Sequence, residues 1–68
     1  MVFEKTLVRA GHVRSFQIVR VPTGWEVCEQ GEDKDARQRH TDWHRVERAV
    51  DRFTRQIDEL RREGWTES

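Results

Sequence analysis

The stretch Asp42–Trp65, "DWHRVERAVDRFTRQIDELRREGW", decides how the rest of this chain is read. Trp43, Val46, Val50, Phe53, Ile57 and Leu60 recur at alternating intervals of three and four, which lays them along one stripe of an α-helix. Both ends of that helix are marked. Thr41 or Asp42 can cap the free N–H groups of the first turn with a side-chain oxygen. At the far end Gly64 suits the C′ position, and a Schellman motif there sets Trp65 against Leu60. Arg61 and Arg62 in the last turn match the negative end of the helix dipole. The pattern predicts one helix over about 42–63, roughly 33 Å long at about 1.5 Å per residue.

Upstream the apolar period falls to two. "FEKTLV" (Phe3–Val8) puts Phe3 and Leu7 on one face. "RSFQIVRV" (Arg14–Val21) puts Phe16 and Ile18 on one face and Val19 and Val21 on the other. "GWEVCEQ" (Gly24–Gln30) sets Trp25 and Val27 against Glu26, Cys28 and Gln30. The turn "VPTGW" joins the last two as a hairpin, because Pro22 presets φ and Gly24 tolerates a left-handed backbone. Gly11 marks an earlier turn and "GEDKD" (Gly31–Asp35) a charged loop. "ARQRH" (Ala36–His40) has poor strand propensity and suits only an edge.

The expected fold is α+β: a small antiparallel sheet of three to four strands with one long C-terminal helix packed on one face. It forms a single domain over 1–68, with strands within about 2–40. Strands of six or seven residues span only about 20–23 Å. One end of the helix stripe must therefore overhang the sheet, unless loops, termini or a second copy of the chain cover it.

A chain of 68 residues is near the lower limit for folding around a single core. Lone Cys28 excludes an internal disulfide and fits a reducing compartment. Glu4 and Lys5 interrupt the N-terminal segment, and no run approaches the roughly twenty apolar residues of a membrane helix. These features predict a cytoplasmic protein with no membrane partner.

The net charge is zero, but its distribution is uneven. Arg9–Arg20 holds three arginines and no acid, whereas Glu26–Asp35 holds five acids and one lysine. Eleven arginines stand against two lysines, and arginine is the cation that stacks and binds anions bidentately.

Cys28, His40 and His44 have a spacing close to half of a zinc finger, but Trp25 occupies the place of the second cysteine. His40 precedes the helix cap and His44 falls in its first turn, so neither metal nor any other cofactor is expected. No nucleophile motif, phosphate loop or carboxylate pair appears, and a fold this thin leaves little room for a substrate pocket. A non-enzymatic protein without a small-molecule substrate is predicted.

The arginines carry the functional expectation. Arg45, Arg48, Arg52 and Arg55 form a helical stripe on the side away from Val46 and Ile57. Arg37 and Arg39 precede it and share a face if their segment is extended. Together they predict a basic ridge for the phosphates of a nucleic acid, with Trp25 as a stacking platform or a core residue. Against this, Asp51–Arg55, Asp58–Arg62 and Arg55–Glu59 have ion-pair spacing, which would make the same face merely solvated. The alternative partner is a protein or a second copy, met through a sheet edge or the overhanging stripe.

"RSFQIVRVPTGWEV" followed by a loop and "DWHRVERAVDRFTRQIDELRREGW" resembles the layout of WGR domains. These are small antiparallel sheets with a C-terminal helix ending in Gly and an aromatic, found in nucleic-acid-associated proteins. The likeness covers about two-thirds of the chain and rests on Phe16, Trp25, Phe53, Gly64 and Trp65. The Trp-Gly-Arg tripeptide itself is absent, with "EQGEDKD" in its place, and no functional residue carries over. The chain equally resembles other small bacterial proteins of this size.

Overall fold

The computed structural model of the protein describes residues 2–68. The chain runs β1 (Phe3–Arg9), β2 (His12–Val21), β3 (Gly24–Gln30), β4 (Asp35–His40), α1 (Trp43–Arg62) and β5 (Thr66–Glu67). All strands join one antiparallel sheet in the order β4-β3-β2-β1-β5. The fold is α+β with one long helix, as expected, but the sheet has five strands rather than three or four. The added strand, β5, has two residues and no apolar alternation. It forms because the chain leaving α1 is turned back along β1, where Leu7 pairs with Glu67 and Val8 with Thr66. The N–H of Ser68 then donates to the Thr6 carbonyl at 3.0 Å.

The turns follow from local chemistry. Ala10 and Gly11 both take positive φ, 49° and 83°, the twist that a two-residue hairpin loop needs. Gly24 has φ of 143°, and a Cβ built there would lie 2.3 Å from the His40 carbonyl oxygen. Only glycine lets the end of β4 approach β3 so closely.

The predicted strand faces are the observed ones. Leu7, Phe16, Ile18 and Val27 meet Val46, Ala49, Phe53, Ile57 and Leu60 of the helix in one core. The ring of Phe53 lies 5.0 Å from Phe16 and 5.9 Å from Phe3, centroid to centroid. Asp42 is the cap, its Oδ1 accepting from the His44 N–H at 3.0 Å. The Schellman motif is formed as well. The Gly64 N–H donates to the Arg61 carbonyl and the Trp65 N–H to that of Leu60, while Trp65 packs against the core.

Trp43 departs from its expected role as the first core residue of the stripe. It is 43% exposed; β2, with ten residues, is longer than the six or seven expected and matches the length of α1, so the stripe does not overhang for want of strand length. The half-buried ring of Trp25 stands behind it, 5.2 Å away and tilted by 57°. Among the described residues no other element covers the opposite face of the sheet, with Thr6, Ser15, Gln17, Cys28 and Arg37.

Candidate functional site

At 100° per residue, Arg45, Arg48, Arg52 and Arg55 fall on one flank of α1 with Glu59 among them; Asp51 borders that flank, and Glu47 and Asp58 fall further round. The fold turns the arginine flank toward β4. Arg48, Arg52 and Arg55 form one wall of a groove of about 550 Å³, with Lys34 across it and Glu29 at its floor. A smaller cleft of about 240 Å³ lies along β4, between Arg52 on the helix and Ala36 and Gln38 on the strand.

The i,i+4 ion pairs that the spacing allows are not formed. Among the described residues no carboxylate lies within 4.0 Å of Arg45, Arg48, Arg52 or Arg55. Asp51 and Glu59 line the same groove without reaching an arginine at that distance. In water such pairs gain at most about 1 kcal/mol and cost the rotamer freedom of two long side chains. Among the described residues Arg9, Arg20 and Arg62 also lack such a partner, but they stand at or near the ends of β1, β2 and α1 and do not line the groove.

Glu29 was not singled out by sequence reasoning. It is 8% exposed, and its carboxylate accepts from Arg14 at 3.1 Å and from Gln56 at 3.4 Å, with the Lys34 ammonium 3.6 Å away. Arg14 in turn lies over the Phe16 ring at 5.5 Å. A buried carboxylate requires such partners. Its charge is engaged by Arg14 and Lys34, so it does not reach the helix arginines. The available signal was the strand period, which sets Glu29 on the same face as Trp25 and Val27.

The expected continuous ridge divides in two. Arg37 and Arg39 share a face, as predicted, but register pairs them with Cys28 and Glu26. They therefore point away from the helix, and both meet Glu26, at 3.7 and 3.4 Å. Trp25 lies on the helix side, half-buried against the core and Trp43, and it lines neither the groove nor the cleft. The more exposed aromatic of the pair is Trp43.

The zinc-like spacing does not converge either. Cys28 lies on the open face, whereas His40 pairs with Trp25 on the helix face. Among the described residues no three His, Cys, Asp or Glu side chains come together as a metal site. The Cys28 thiol donates to Glu26 at 3.6 Å. Burial, and then the hydrogen bond and negative charge of Glu26, push the thiol above its ordinary pKa, away from the nucleophilic thiolate.

Among the described residues no helix is long and apolar enough to cross a membrane. No protein-family model, curated protein or solved structure matches the chain.

Proposed function

We propose that the protein is a non-enzymatic binding module that grips the phosphate backbone of a nucleic acid with the arginine flank of α1. The carrying observation is that Arg45, Arg48, Arg52 and Arg55 crowd one flank, with no carboxylate at ion-pair distance among the described residues. Their donors face solvent, so a phosphate would add contacts without first breaking an ion pair. Arg45 to Arg55 spans about 15 Å of helix axis, enough to meet several phosphates, with Lys34 as a further cation across the groove.

Arg37 and Arg39 belong to a different surface and take no part in this contact. Trp25 is a supporting residue rather than a stacking platform. The test is anisotropy of a fluorescent oligonucleotide at low salt, with wild-type protein and with R48E. Binding that R48E weakens supports the reading; no anisotropy change in the wild type ends it.

A further inference from the structure

The sheet has two unlike edges. On one side β5 covers part of β1. On the other, β4 pairs with β3 alone. The Gly31 N–H donates to the Lys34 carbonyl at 2.7 Å, which sets the phase of the β3–β4 ladder. By the alternation of an antiparallel pair, Ala36, Gln38 and His40 direct their backbone groups toward β3. Asp35, Arg37 and Arg39 direct theirs outward. Those outward groups are a template for one further strand.

The side chains around the edge select the kind of strand. On the open face Arg37 and Arg39 are 61% and 60% exposed. On the helix face Ala36 and Gln38 form a low ledge, with Arg52 above it and Lys34 at its side. Asp35 is the one acid on β4 itself. A strand laid along β4 would turn its side chains alternately to these two faces. On one, Arg37 and Arg39 share the single carboxylate of Glu26; on the other, Lys34 meets Glu29 while Arg52 has no carboxylate within 4.0 Å among the described residues. Cations are therefore in excess on the open face, and Arg52 is left free on the helix face.

We propose that the β4 edge captures an extended acidic segment of a partner protein by strand addition. Its carboxylates would meet Arg37 and Arg39 on one face and Arg52 and Lys34 on the other. The main-chain bonds supply affinity and the bordering cations supply selection. A second copy of this chain would bring its own Arg37 and Arg39 to the same edge. This inference needs the backbone of β4, and it does not use Arg45, Arg48 or Arg55.

The experiment uses two fluorescein-labelled peptides, one alternating Glu and Thr, the other Lys and Thr. Anisotropy is measured with wild-type protein, R37Q and R37P. The N–H at position 37 faces outward, so proline leaves the β3 ladder intact while blocking an added strand. The Glu–Thr peptide should bind and the Lys–Thr peptide should not. R37Q should weaken binding by about tenfold, the loss of one charge-assisted contact. R37P should abolish it, with near-ultraviolet circular dichroism unchanged. Bound peptide should also slow amide exchange at Asp35, Arg37 and Arg39 of the wild type, which decides the matter if R37P fails to fold.

The proposal is overturned if the acidic peptide does not bind, or if the basic one binds equally well. It is also overturned if R37P binds like R37Q, if those three amides stay unprotected, or if they are protected by a concentration-dependent dimer. Oligonucleotide binding should survive R37P and fall in R48E, so this reading and the phosphate reading fail separately.

Discussion

Replacing Gly24 by alanine tests how β4 is held against the rest of the sheet. Two penalties combine at this position. An alanine forced to φ of 143° carries strain of about 1–3 kcal/mol. Its Cβ would also sit 2.3 Å from the His40 carbonyl oxygen and 3.1 Å from the Thr41 Cα, both backbone atoms. Restoring ordinary contact requires the end of β4 to retreat by about 1 Å. That opens the rung between Trp25 and His40, whose hydrogen bonding is worth about 1 kcal/mol net. The predicted loss is about 2–4 kcal/mol, a large share of the roughly 3–10 kcal/mol expected for a domain of this length.

Urea unfolding followed by tryptophan fluorescence measures this loss, and two other glycines separate its causes. Gly11 has φ of 83° and open space around it, so G11A carries the backbone term alone, about 1–2 kcal/mol. Gly31 has neither a positive φ nor a close backbone neighbour, its nearest atom being the flexible Arg14 Cγ at 3.6 Å. G31A should therefore change stability by less than about 0.5 kcal/mol. The order of cost should be G24A, then G11A, then G31A. If G24A costs no more than G11A, the close approach of β4 plays no part in holding the edge.

Other consequences concern the first hairpin, the C-terminal strand and the thiol. Ala10 occupies a left-handed position that suits asparagine better, so A10N should gain about 0.5–1 kcal/mol in the same urea assay. A hydrogen bond from Lys5, aided by the charges of Lys5 and Arg61, holds the Glu67 carboxyl below its ordinary pKa of 4.5. Its contribution to docking β5 is present above that value and is lost as pH falls through the lower folded one. Acidification below about pH 4.5 should therefore lower the protection of the Ser68 amide, relative to its intrinsic exchange rate at the same pH, before the β2–β3 amides respond. Cys28, with its raised pKa and 8% exposure, should react with a disulfide reagent at neutral pH far more slowly in native protein than in urea.

Much of this fold is legible along the chain because its signals are local. The stripe from Val46 to Leu60, the Asp42 cap and the Gly64–Trp65 terminus each lie within a few residues of what they determine. Strand alternation likewise fixes which face carries Phe16, Ile18 and Val27. β5 is not legible in this way, since Thr66 and Glu67 gain strand structure only from Leu7 and Val8 at the far end of the sequence. The exposure of Trp43 likewise depends on a distant neighbour, the half-buried Trp25 that packs against it.

The candidate site divides along the same line. Helical spacing brings Arg45, Arg48, Arg52 and Arg55 together, but it does not show which cross-strand partners Arg37 and Arg39 meet. Pairing across the "GEDKD" loop sets them beside Cys28 and Glu26, on the face away from the helix. Spacing also permits Asp51–Arg55 and Arg55–Glu59 pairs, but neither comes within 4.0 Å. Glu29 follows from strand period once a buried acid is looked for among apolar neighbours.

If the arginine flank of α1 binds phosphates, oligonucleotide affinity must fall steeply with salt. Oligonucleotide affinity is measured by anisotropy from about 50 to 200 mM salt, over which four neutralised phosphates on duplex DNA imply a loss of about a hundredfold. R48E should bind more weakly throughout and lower the slope of log affinity against log salt by about one. A wild-type protein that shows no binding at the lowest salt, or an affinity indifferent to salt and to R48E, would contradict the account.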